Sequence, residues 1–146
     1  MSSKHLFALF SPQVPAHVNT GNVITFIDAD AWHRLTQVLR LTSGDQVIVF
    51  NNTLQAHVIL DPHTFSNKKN IISALVVAKE ELTAFIPAIN IVVGLTKREA
   101  FEDIAYSCSQ MGVTNIRPIF AKRTHRNWLT EKELPRLHKI MIAACE

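Results

Sequence analysis

The sequence predicts an α+β to α/β chain in two parts: a small, mostly β part over residues 1–80 and the start of an α/β unit over residues 88–146, joined by a linker at 81–87. Three observations carry this expectation. Short β-prone runs recur between turn signals up to Lys79. Ala88–Leu95 is a nearly continuous apolar run, followed by helical periodicity and a second β-prone run. The charge is also unevenly divided: residues 1–87 balance six Lys/Arg against six Asp/Glu, whereas residues 88–146 carry nine against six, so the whole formal +3 lies in the second part.

In the first part, Lys4–Phe10 and Val23–Ile27 read as strands, separated by a loop holding Pro12, Pro15 and Gly21. Asp28 is placed to cap a helix with Asp30 in its first turn, and Trp32, Leu35, Val38 and Leu39 then recur at helical spacing. Thr42-Ser43-Gly44-Asp45 ends that helix and leads into Gln46–Phe50. Asn51-Asn52 tolerates positive φ and predicts a hairpin into Leu54–Leu60. A polar loop from Asp61 to Asn70 precedes a last strand at Ile71–Lys79. Five or so short strands with one helix suit a small barrel or sandwich.

In the second part, Ala88–Leu95 reads as a strand buried on both faces of a parallel sheet. Thr96 and Glu99 form a capping-box pattern, and Phe101, Ile104, Ala105, Cys108 and Met111 give the helix its apolar face. Gly112 suits the position after a helix end, and Val113–Ala121 is the next strand, completing a βαβ unit. Thr130 and Glu133 form a second capping-box pattern before a helix through Leu134, Leu137, Met141 and Ala144. That helix stops at Glu146 with no terminating residue. One βαβ unit and one helix would give a two-stranded layer, so the sequence is expected to be cut within the helix.

Composition excludes several classes. At 47% apolar and 18% charged residues, the chain is neither a disordered tail nor a coiled coil. No apolar run approaches the roughly 18 residues of a membrane span, and Leu6–Phe10 is too short for a signal-peptide core. Cys108 and Cys145 stand apart and form no framework, which suits a reducing, cytoplasmic compartment. No metal-ligand spacing is present: His33 is a lone histidine, and Cys108, the one nucleophile candidate, lies on an apolar helix face.

Residues 104–130 contain no acid while Arg117, Lys122, Arg123 and Arg126 accumulate beside His125. That is the electrostatic footprint of a phosphate-bearing partner, or else a solvated basic edge. Lys97 and Arg98 follow the first strand of the βαβ unit at its carboxyl end, where open α/β sheets bind ligands. Cations there oppose the helix dipole, so local helix stability does not account for them, although Glu99, Glu102 and Asp103 offer charge pairing. Arg34 and Arg40 on the first helix are either phosphate contacts or solvated residues flanking its apolar stripe.

These segments resemble, in order and spacing over essentially the whole chain, the family of ribosomal RNA small subunit methyltransferase E, uridine-N3 methyltransferases of the trefoil-knotted SPOUT class. The likeness rests on Val38-Leu39-Arg40-Leu41 with Gly44-Asp45, on Met111-Gly112-Val113 with Ile116, Pro118, Phe120 and Arg123, and on Ile142-Ala143-Ala144-Cys145-Glu146. The resemblance implies a PUA-like RNA-recognising barrel, then an α/β domain whose later chain forms a knot holding S-adenosylmethionine in a homodimer. The knot and its cofactor-binding residues are expected beyond Glu146, so this chain alone is expected neither to bind the cofactor nor to be active. The implied partner is small-subunit ribosomal RNA, with no membrane or metal. Arg123 is the implied near-site residue, with Arg34, Arg40, Lys97, Arg98 and Arg126 as RNA contacts. The chain departs from the family pattern at Arg34 (with His33 displaced by one), at Ser107 and Gln110, and at Ala8. The alternative expectation is therefore a knotless, catalytically inactive RNA-binding relative.

Overall fold

The computed structural model describes residues 6–66, 70–83, 87–122, 124 and 128–146. The chain divides into two compact units, Met1–Thr83 and Ala84–Glu146.

The first unit is a five-stranded sheet of β1 (Phe7–Phe10), β2 (Val23–Ile27), β3 (Gln46–Phe50), β4 (Leu54–Leu60) and β5 (Ile71–Glu81), in the order β1-β3-β4-β5-β2. Strict alternation along β4 sends Leu54, Ala56, Val58 and Leu60 inward, and Val47, Val49, Ile72, Ala74 and Val76 of its neighbours join them. A register shift at His57/Val58 bends the β4–β5 pair. The expected closed barrel does not form: β1 pairs with β3 in parallel, β2 pairs with β5, and no ladder joins β1 to β2 among the described residues. The connection between them instead contributes Val14 and Val18 to the core, so side-chain packing covers apolar surface that a closed ladder would enclose.

Asp28 caps α1 (Ala29–His33) as expected, its Oδ1 accepting from Ala31 N at 3.0 Å while Ser11 Oγ donates to Oδ2. Helical spacing then fails. Arg34–Val38 is a π-helical turn, in which Leu39 N donates to Arg34 O at 2.8 Å, five residues back. The wider turn shifts the phase of the residues after Leu35. Leu35 is fully buried, while Val38, expected on the apolar stripe, is 62% exposed.

The β3–β4 hairpin forms where expected by a different device. Neither Asn51 nor Asn52 has positive φ; Asn51 Oδ1 accepts from Thr53 N and Leu54 N, both at 2.9 Å, and so substitutes side chain for backbone in the turn. The segment expected as loop, 61–70, contains a short helix, α2 (His63–Ser66).

The second unit has two parallel strands, β6 (Asn90–Gly94) and β7 (Asn115–Ile119), with α3 (Arg98–Gln110) between them and α4 (Leu134–Cys145) after a 3-10 turn at Glu131–Glu133. Gly112 ends α3 at φ 73° in a Schellman motif: Val113 N donates to Cys108 O and Gly112 N to Ser109 O. Phe101, Ala105 and Cys108 of α3 and Leu137 of α4 are buried, which keeps Cys108 a core residue. Met111, expected on the same face, is 64% exposed because the helix has already ended there.

β6 is not buried on both faces. Ile91 and Val93 lean toward the helices, whereas Asn90, Val92 and Gly94 are exposed, Val92 at 63%. With α3 and α4 packed on one side, the other face of the pair shows Asn90 bonded to Asn115, with Val92 beside Arg117.

Neither expected capping box forms. Thr96 Oγ1 turns to Lys97 O, leaving Lys97 at the head of α3 without a side-chain cap. Glu133 pairs with Arg98 rather than with Thr130. A bidentate pair ties α4 to α3: Arg136 Nε and Nη2 donate to the two Glu102 oxygens at 2.7 and 3.0 Å.

That pairing holds the Glu102 carboxyl below its usual pKa: the Arg136 hydrogen bonds lower it most, desolvation opposes them, and the charges of Arg136 and then Arg98 add smaller lowering effects. A carboxylate whose pKa is depressed by folding stabilises the fold above its unfolded pKa and loses that contribution as pH falls through the folded value. Thermal melts of wild type and Arg136→Ala should therefore differ at neutral pH and converge in acid. The gap should also shrink at high salt, because the pair is solvent-exposed.

Candidate nucleic-acid interface

Because β6 and β7 run parallel with Gly94 opposite Ile119, both carboxyl ends lie at one edge of the second unit. Leu95 N extends the ladder by donating to Ile119 O at 2.9 Å. Beyond that edge the chain continues into Thr96-Lys97 on one side and Phe120-Ala121-Lys122 on the other. Thr124 tightens the second turn: its Oγ1 accepts from Ala121 N and its N donates to Ala121 O, both at 2.9 Å. Lys97 and Lys122 are exposed, and Phe120 is 57% exposed beside Lys122. An exposed aromatic ring among cations is a combination that nucleic-acid surfaces use, stacking a base on the ring and neutralising phosphate with the charges.

Arg98 is engaged differently from Lys97. Its guanidinium pairs with Glu133 and lies 5.6 Å from the centre of the Trp128 ring. Trp128 in turn meets Phe101 edge-on, with ring centres 5.8 Å apart, and donates from Nε1 to Thr96 O at 2.8 Å. Arg98 thus helps to brace the strand–helix junction, and Lys97 is the cation presented there to solvent. Sequence reading missed Trp128 and gave Glu133 to a capping box, because their partners lie 32 and 35 residues away. An isolated tryptophan in an acid-free stretch was the available signal.

In the first unit, Arg34 opens the π-helical turn and is half-buried, while Arg40 is exposed two residues beyond it. Arg40 has a left-handed backbone, φ 52°. Arg123 and Arg126, and His125 with them, lie outside the described residues. Among the described residues no group of three His, Cys, Asp or Glu is placed to hold a metal ion, and no helix is long and apolar enough to cross a membrane.

Residues 85–146 match the family model of the RNA methyltransferase domain. Solved structures share the fold of both units. The ribosomal RNA small subunit methyltransferase E of Neisseria gonorrhoeae, bound to S-adenosyl methionine, superposes with a TM-score of 0.76 at 18% identity, over 97% of this chain and 56% of that one. A Legionella pneumophila protein assigned as a methyltransferase, in complex with the same cofactor, gives 0.73 at 20% identity, over 97% and 57%. A Thermotoga maritima protein assigned as an RNA methyltransferase gives 0.66 at 22%, over 97% and 59%. The chain therefore spans less than two thirds of the length of these structures. No curated protein sequence matches it.

Proposed function

We propose that this chain is part of an S-adenosylmethionine-dependent RNA methyltransferase that modifies N3 of uridine in small-subunit ribosomal RNA. In this reading the first unit is the RNA-recognition part, PUA-like in role, and the second is the beginning of the catalytic α/β domain of a homodimer. The observation that carries the reading is the match of residues 85–146 to the RNA methyltransferase domain, supported by the fold shared with two cofactor-bound structures.

The described residues do not by themselves fit the cofactor. At the β6–α3 junction Gly94 ends the strand, but Lys97 places a positive charge at the head of α3, which opposes a sulfonium. When bound, the cofactor would supply the methyl group. What the chain's own residues supply is electrostatic. Uridine N3 carries a proton and is a poor nucleophile until it is lost, so a cationic rim that binds phosphate and favours the anionic base serves the reaction. Lys97 and Lys122 are suited to that role, with Arg123 and Arg126 proposed beside them from the sequence. Arg34 and Arg40 extend RNA contact to the first unit, and Arg98 acts chiefly by holding the junction.

Deleting the gene in its host and quantifying ribosomal RNA nucleosides by mass spectrometry tests this reading. N3-methyluridine should disappear from the small-subunit RNA; an unchanged content overturns the methylation. The departures from the family pattern at Ser107 and Gln110 favour a second reading, an RNA-binding relative without catalysis, which predicts unchanged N3-methyluridine with RNA binding retained.

A further inference from the structure

Two locally unfavourable features meet in three residues of the first unit. Val38 is an exposed β-branched apolar residue, and Arg40 is a non-glycine residue at φ 52°. Neither serves the packing around it. An ordinary α-helical continuation would have kept Val38 on the apolar stripe, and glycine or asparagine would occupy the left-handed position with less strain. The surrounding structure imposes both. The π-helical turn displaces Val38, and hydrogen bonds on either side clamp Arg40: Leu39 N donates to Arg34 O at 2.8 Å and Leu41 N to Leu35 O at 2.9 Å.

The segment that follows is equally fixed. Asp45, buried, accepts from Thr42 N at 2.8 Å and from Thr42 Oγ1 at 3.1 Å. Gly44 N and Leu60 N stitch the turn to β4, donating to Leu60 O and Asp45 O at 2.9 Å. Residues held in unfavoured backbone conformations by an over-determined framework concentrate at sites where the side chain itself is needed.

We propose that Val38 and Arg40 form a preorganised RNA-gripping element, in which the Arg40 guanidinium binds a phosphate and Val38 rests against the adjoining nucleoside, with Asp45 as the positioning residue of the turn. The proposal rests on the reading of the chain as RNA-directed. It goes further by assigning one strained turn as the contact and by separating its charge from its apolar component. A guanidinium offers paired donors to phosphate oxygens, and a backbone fixed before binding lowers the ordering cost of the contact.

The test uses the full chain and a fluorescently labelled, uridine-containing RNA stem–loop, with affinity measured across a salt series and each variant melted in parallel. Arg40→Gly should melt no lower than wild type yet bind roughly tenfold more weakly, with the salt dependence reduced by about one phosphate contact. Val38→Ser should leave both melting temperature and salt slope unchanged and still weaken binding. Asp45→Ala should weaken binding as Arg40→Gly does, and Asp45→Asn, which keeps an acceptor for Thr42, should restore it. Wild-type affinity in Arg40→Gly and Val38→Ser, with wild type itself binding the RNA, overturns the gripping element and leaves the RNA-directed reading intact. Failure of wild type to bind the RNA overturns both.

Discussion

Replacing Leu35 with alanine is expected to destabilise the first unit by about 3 kcal/mol, near the middle of the range for emptying a large buried aliphatic site. Leu35 has no exposed surface and belongs to the same cluster as Leu9, Val47, Val49, Leu60 and Ile72. Strands and helix meet on it, and a rigid sheet closes poorly over the cavity left behind. The informative control lies one helical turn on. Val38→Ala should change stability by no more than about 0.5 kcal/mol, because its side chain is already in water. An uninterrupted α-helix would give the two positions comparable losses. Urea denaturation followed by tryptophan fluorescence or circular dichroism distinguishes these outcomes, and equal losses would refute the π-helical phase.

The same comparison shows what the sequence makes legible. Asp28 as a cap, the strands Gln46–Phe50 and Leu54–Leu60, and Gly112 after α3 are local signals with local causes, and each stands in the structure where the residues predict it. The phase error at Val38 has a different origin. A π-helical turn shifts every later side chain, yet it is stabilised by bonds from Leu39 and Leu41 that composition does not announce. The second capping box failed for a related reason: Glu133 has a choice between Thr130 nearby and Arg98 across the unit, and the charged partner wins. Barrel closure is non-local throughout, since it depends on which edge β1 joins, and strand propensity is the same for either edge.

The candidate interface was legible to a similar depth. Lys97 and Arg98 stand at the carboxyl end of a parallel strand, as their place after the apolar run predicts. Their division of labour could not be read in advance, because it depends on Trp128 and Glu133 arriving from more than thirty residues away. Charge alone gives a footprint; the pairing decides which cations within it remain available.

Trp128 is the site of the second large effect. Trp128→Ala should cost the second unit about 2–3 kcal/mol: less than the loss of a fully buried tryptophan, because the ring is partly exposed, but including the Nε1 hydrogen bond to Thr96 O and the edge contact with Phe101. Trp128→Phe keeps one aromatic ring near Phe101 and Arg98 and removes the donor with the second ring, so it should lose about 1–2 kcal/mol. The difference between the two variants isolates the ring. If Arg98 acts as a brace, Arg98→Ala should be markedly non-additive with Trp128→Ala, since the second change finds its partner already gone. Lys97→Ala should be additive and nearly neutral for stability while lowering RNA affinity. Denaturation of the four single variants and the two doubles measures these couplings. An additive Arg98–Trp128 pair would return Arg98 to the set of proposed RNA contacts, and a destabilising Lys97→Ala would remove Lys97 from it.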